Sequence, residues 1–282
     1  MKMDFYAAYD AVLAKWPVPA EPVEVGTPFG TTRVNACGEV VGKPLVLLHG
    51  GGATSTVWLN NVGSLARSHR VYAVDQINDA GRSAANGRPV GSRDDLMAWL
   101  DAVLTGLGLD AVALGGHSYG GWLALNYALH ARQRVTHLAL LDPSECFAGM
   151  RLSYRLRAAP LFLPGPKAAR IRSFLRWETG GVALDADWYE LMALGADEVS
   201  PSKIVMPKRP EAAELSRLDV PTLVLVAQKS RSHDPARVAA NARELLPRVV
   251  TGTLPGATHH TIPVGEAAAI NYRLNDFLSQ AR

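Results

Sequence analysis

The sequence is short of cysteine, of unbroken apolar runs and of clustered charge, and each shortage excludes a class of protein. Two cysteines in 282 residues, Cys37 and Cys146, cannot build a disulfide framework. Neither has a nucleophile's surroundings in sequence, and both read as packing residues. No apolar stretch approaches the roughly 18–20 residues needed to span a bilayer. The opening "MKMDFYAAYDAVLAKWPVP" carries Asp4 and Asp10 where a signal peptide has its apolar centre. A soluble cytoplasmic protein with no membrane partner is therefore expected. The formal charge is only +3, from 29 Lys and Arg against 26 Asp and Glu. Basic tracts such as "RLSYRLR" (151–157) are interrupted by apolar residues and read as one helix face, which argues against nucleic acid as a partner. The eight histidines show neither H-x-x-x-H nor Cys/His ligand spacing, so no metal or organic cofactor is expected.

What the chain does have is apolar content, 48% of its residues, enough for a sizeable core. The runs "PLVLLHG" (44–50), "RVYAVD" (70–75), "AVALGGHS" (111–118), "VTHLALLD" (135–142) and "TLVLVAQ" (222–228) are nearly all apolar. Such runs fit strands covered on both faces, as in a parallel sheet. Helical patterns fall between them, near 55–67, 92–107, 119–131, 235–246 and 265–280. The alternation predicts a doubly wound α/β fold. "PVEVGTPFG" and "TTRVNAC" alternate more and meet at Gly30, as an antiparallel hairpin at a sheet edge would. From about 144 to 214 no strand is evident, and "LRAAPLFLPGPKAARIRSFLRWETGG" is helical with Pro and Gly breaks. This stretch reads as a helical cap over the sheet's C-terminal edge, where ligands bind in such folds.

Three loops at that edge carry the chemistry. "GGHSYGG" (115–121) contains Gly116-His117-Ser118-Tyr119-Gly120 between an apolar strand and the helical "WLALNYALH". A G-x-S-x-G turn in that context lifts the Ser118 hydroxyl clear of the backbone and aims a helix N-terminus at the site where negative charge develops. "LVLLHGGGATSTVW" (45–58) supplies His49, which braces the loop, and glycines that let backbone approach a bound acyl group. An N–H of Gly51 or Gly52, together with that of Tyr119, is the candidate oxyanion hole. "LPGATHHTIP" (254–263) places His259 and His260 after the last strand, where a general base is needed.

With these stretches the chain resembles the α/β-hydrolases, and among them bacterial carboxylesterases. The likeness runs nearly end to end, through "VYAVDQINDAGRS" (71–83), "LALLDPSECF" (138–147) and "LPGATH" before a helix ending "NDFL". It is weakest over 150–214. The resemblance implies an eight-stranded, mostly parallel sheet with a helical cap inserted after the sixth strand. It divides the chain into a core of 1–143 and 215–282 and a cap of 144–214. It also puts the base at His259 rather than His260.

The family's acid normally follows the strand "TLVLVAQ", where this chain has Ala227-Gln228-Lys229-Ser230. Asp142, at the end of the preceding strand, is the favoured replacement, since some members of the family carry their acid there. Asp234 is the alternative acid, though "HDPAR" also reads as a helix start with Asp234 as its cap. Glu145 is a weaker candidate, and an absent acid is the third reading. The expected function is hydrolysis of small carboxylic esters through an acyl-enzyme on Ser118, with His259 as base. Lactones, thioesters, amides, C–C bonds and perhydrolysis remain open, as does a catalytically weak ligand-binding protein on the same fold. Trp58, Trp122, Phe162, Trp177 and Trp188 are candidates for an apolar pocket or for the core. A small-molecule ester is the expected partner, and a homodimer is left open.

Overall fold

The computed structural model describes residues 4–198, 204–262, 264–265 and 267–280. The apolar runs become strands because each has two faces to bury. In β3 (Lys43–Leu48), Leu45 and Leu47 join one core and Val46 and Leu48 the other; in β7 (Thr222–Ala227), Leu223 and Leu225 separate from Val224 and Val226 in the same way. The other strands are β1 (Glu21–Thr27), β2 (Gly30–Cys37), β4 (His69–Val74), β5 (Val112–His117), β6 (Val135–Leu141) and β8 (Val249–Leu254). Among the described residues they form one eight-stranded sheet, ordered β1-β2-β4-β3-β5-β6-β7-β8. The β1–β2 hairpin and the β2–β4 pair are antiparallel and all other pairs parallel. Strands β3 through β8 therefore end at one common edge, and their following loops carry the candidate site.

Helices cover both faces. One face takes α3 (Arg93–Gly106), α4 (Tyr119–His130) and α9 (Pro235–Leu245), through Trp99, Trp122 and Val238 among others. The other takes α1 (Phe5–Leu13), α2 (Val62–Leu65) and α10 (Ala267–Ser279). Between β6 and β7 the described chain is helical, with α5 (Leu152–Ala158), α6 (Ala168–Glu178), α7 (Ala186–Glu198) and α8 (Ala212–Leu215). The expected division at 214/215 falls inside α8. Among the described residues no helix is long and apolar enough to cross a membrane.

Two local expectations change. The helix expected over 55–67 is a 3-10 turn, Ser55–Asn60, followed by the single turn of α2. The Ser55 N–H, a donor that the start of a helical turn leaves without an internal partner, is bonded to the Asp75 carboxylate at 2.7 Å. The N-terminal stretch, for which no element was expected, is α1, capped by Asp4 accepting from the Ala7 N–H at 2.7 Å.

Buried polar groups tie α1 to the sheet. The Tyr9 hydroxyl donates to Asp75 Oδ2 at 2.9 Å and accepts from Asn35 Nδ2 at 2.6 Å, and Asn35 also reaches Ser55 Oγ at 2.9 Å. At the exposed end of the helix Lys15 pairs with Asp185 and Asp187 at α7. Tyr9→Phe strands two buried partners and should cost about 1–3 kcal/mol. Lys15→Ala, which loses only solvent-screened pairs, should cost less than about 1 kcal/mol. Urea unfolding of both variants checks the contrast.

Candidate active site

Ser118 stands between β5 and α4 with φ +53°, in the left-handed region that residues other than glycine seldom adopt. Backbone crowding enforces the bend. A Cβ on Gly116 would lie 2.2 Å from the Gly120 carbonyl oxygen, and one on Gly120 would lie 2.3 Å from that of Leu48. The conformation is held by the Ser118 N–H donating to the Leu141 carbonyl at 3.0 Å, while the Ser118 carbonyl accepts from the N–H groups of Trp122 and Ser144. Ser118 is half-buried, unlike the buried residues on either side of the turn at Gly116 and Gly120.

The hydroxyl lies 2.8 Å from His259 Nε2, and His259 Nδ1 lies 2.6 Å from Asp142 Oδ2. An ionised carboxylate only accepts, so Nδ1 carries the proton and Nε2 is left to accept from Ser118. Ser144 Oγ, at 3.0 Å from Ser118 Oγ, is a second hydroxyl at the same oxygen. Burial alone would raise the Asp142 carboxyl, but His233 and His259 hold it well below the usual carboxylate range. Burial would lower His259, but the Asp142 hydrogen bond and charge, with Glu178 nearby, hold it above its ordinary value of 6.5.

Each Asp142 oxygen accepts two hydrogen bonds. Oδ1 takes the Ala227 N–H at 2.9 Å and His233 Nε2 at 3.0 Å; Oδ2 takes Ser230 Oγ at 2.8 Å as well as His259. Ser230, where the family pattern calls for an acid, thus donates to the acid that stands one strand away. Asp234 is not part of this cluster. It is exposed and caps α9, accepting from the Arg237 N–H at 3.2 Å. Glu145 accepts from the Met150 N–H at 3.0 Å instead of approaching His259. His233 was missed by sequence reasoning, because a histidine just before a helix cap carries no local signal of a distant carboxylate.

The glycine loop is braced as expected of His49, whose Nε2 accepts from the Gln76 N–H at 3.0 Å while Gln76 Nε2 donates to the His49 carbonyl. Within that loop the two candidate donors separate. The Gly52 N–H is held by the Asp79 carboxylate at 3.0 and 3.1 Å and is not free for an oxyanion. Among the described residues the N–H groups of Gly51 and Tyr119 make no hydrogen bond. The two residues adjoin, since a Cβ on Gly51 would meet Tyr119 Cβ at 3.7 Å.

Most of the candidate pocket aromatics lie elsewhere. Trp58, Trp122 and Trp188 are core residues because sheet and helices close over them, and Phe162 is 54% exposed. Trp177 belongs instead to an aromatic cluster with Tyr154 and Phe174, and Tyr154 meets the His259 ring edge-on at 6.0 Å. Sequence reasoning also missed Glu178, whose fully buried carboxylate accepts from the His259 and His260 N–H groups. Among the described residues no group of three His, Cys, Asp or Glu is arranged to hold a metal ion.

An eight-stranded sheet of this order, with a serine elbow after β5 and a histidine loop after β8, defines an α/β-hydrolase. The model of the Alpha/beta hydrolase family matches residues 45–271, and the chain belongs to that family. Among its relatives, carboxylesterase YbfK of Bacillus subtilis (strain 168) is 29% identical over 97% of this chain and 93% of its own length. The crystal structures of naproxen esterase (carboxylesterase NP) and carboxylesterase CesB (YbfK), both from Bacillus subtilis, align with TM-scores of 0.90 and 0.91. Each is 28% identical and covers 98% of this chain and 97% of its own.

Burial, then His259, push His260 down to about 4 from 6.5. Between those values the unfolded chain takes up a proton at this position that the native chain refuses, so stability falls as pH drops through the window. For a half-buried ring the loss should be on the order of 2 kcal/mol. Urea unfolding at several pH values should give a shallower acid slope for His260→Gln than for the wild type.

Proposed function

We propose that this chain is a carboxylic ester hydrolase that works through a covalent acyl-enzyme on Ser118. What supports this reading above all is the unbroken relay of 2.8 and 2.6 Å from Ser118 Oγ through His259 to Asp142. Ser118 Oγ attacks the ester carbonyl as its proton passes to His259 Nε2. The imidazolium so formed is balanced by Asp142, which a neutral Ser230 could not do. The tetrahedral oxyanion is taken by the N–H groups of Gly51 and Tyr119, the latter at the positive end of α4. His259 then returns the proton to the departing alcohol. Water repeats the sequence on the acyl-enzyme and releases the acid.

Residues 144–214 serve in this reading as a cap over a core of 1–143 and 215–282, with Tyr154, Phe174 and Trp177 facing an apolar part of the substrate. Small esters are the substrate class that fits this cluster, and the carboxylesterase names of the relatives favour the same chemistry. A fluorophosphonate probe should label the wild type and leave Ser118→Ala unlabelled. Failure to label the folded wild type would favour a ligand-binding protein instead.

Asp142→Asn should lower p-nitrophenyl ester turnover by about a hundredfold or more, in line with the loss of an orienting carboxylate in serine hydrolases. Asp234→Asn should change stability and leave turnover near the wild-type level; the reverse pattern would move the acid to Asp234. Because His259 must be neutral to act and is held above 6.5, kcat/KM should fall as pH drops through a value above 6.5.

A further inference from the structure

The structure assigns Glu178, the last residue of α6, a positioning role: it is the grip by which the helical segment between β6 and β7 holds the His259 loop. The inference rests on His259 acting as the base. Glu178 is 0% exposed, and its carboxylate accepts from three donors of one short stretch. Oε1 takes the His259 N–H at 3.0 Å, and Oε2 takes the His260 N–H at 3.0 Å and Thr258 Oγ1 at 3.1 Å. Among the described residues no cation pairs with it. An unpaired buried carboxylate is expensive and survives only where oriented donors replace its water. Here every such donor belongs to the histidine loop.

The opposite side of the same residue is also held. His117 Nε2 donates to the His259 carbonyl at 2.9 Å, so the backbone of His259 is gripped at its N–H from α6 and at its C=O from β5. The side chain is then fixed at Nδ1 by Asp142 and at Nε2 by Ser118. Phe174, also on α6, packs on the His260 ring at 5.7 Å. A displacement of α6 would therefore carry the loop with it, and a shift of about 1 Å at a reacting group can cost on the order of a hundredfold in rate.

The ionisable groups facing His259 are Asp142 from the end of β6, His233 from the loop after β7, His117 from β5 and Tyr154 from α5, together with its own neighbour His260 and Glu178 itself. Of these Glu178 and Asp142 are the acids that raise His259. Removing the Glu178 charge lowers the His259 pKa and moves the acid limb of kcat/KM to lower pH.

The test compares p-nitrophenyl butyrate hydrolysis and fluorophosphonate labelling in the wild type, Glu178→Gln and Glu178→Asp. Glu178→Gln opposes an amide donor to backbone donors. Its kcat should fall about tenfold to a hundredfold with KM nearly unchanged, and its acid limb should move to lower pH. Glu178→Asp keeps the charge but falls one methylene short, so kcat should fall while the limb stays in place. Wild-type kcat in Glu178→Gln overturns the inference, as does a lowered kcat with an unmoved limb, which is the mark of a packing residue. Should Glu178→Gln not fold, the Asp variant decides: a kcat lowered at unchanged KM supports the role, and wild-type kcat, or a KM raised along with the fall in kcat, ends it. A wild type that neither hydrolyses the ester nor takes the label removes the hydrolase reading itself, and this inference with it.

Discussion

The Asp142 carboxylate is the group around which the C-terminal edge of the sheet is organised. A charge with no exposed surface must find inside the protein what water would have given it, and Asp142 finds four donors. They come from the end of β7, the loop behind it and the histidine loop after β8. Satisfying one side chain therefore fixes three stretches of chain relative to β6. Asp142 itself takes φ +43° at the strand end, with its N–H on the Leu225 carbonyl at 2.7 Å. Strain of that kind is retained where the surroundings over-determine it.

Ser230 finds its meaning in the same arrangement. With Asp142 at the end of β6 as the proposed acid, the β7 loop faces a carboxylate rather than carrying one. A second carboxylate there would put like charges together in a buried site. A hydroxyl, a backbone N–H and an imidazole are all donors, and donors are what the buried Asp142 carboxylate needs. The histidine cluster of His117, His233, His259 and His260 then divides by environment. Asp142 and Glu178 hold His259 up, while burial holds His117 and His260 down. His233 also lies between Asp142 Oδ1 at 3.0 Å and a serine, Ser232 Oγ at 3.4 Å, but Ser232 is fully buried, whereas the serine on His259 is the half-buried Ser118 of the elbow.

The helical segment between β6 and β7 is joined to this centre by specific contacts. Tyr154 reaches His260 Nε2 at 3.4 Å, and Glu178 takes the backbone of both loop histidines. On its other side α7 meets α1 through the Lys15 pairs. The N-terminal helix, the helical segment and the histidine loop thus form one packed face.

Elements with a strong local signal were legible from the residues alone. The strands lie within a residue or two of the apolar runs because each run had two faces to bury, and the serine elbow was marked by glycines that crowding makes obligatory. His259 was marked by its place after the last strand, and Asp142 by its place at a strand end with a family precedent. Contacts that join residues far apart in the chain were not legible. Nothing near Ser230, His233 or Glu178 in sequence announces a partner 81 to 91 positions away, and nothing in the glycine run says that Asp79 occupies the Gly52 N–H. The order of residues by itself determined which segments pair and which bend, since periodicity and steric bulk act within a few residues. Which buried donor meets which buried acceptor was decided only when packing brought the strand ends together, because a hydrogen bond depends on position in space and not on distance along the chain.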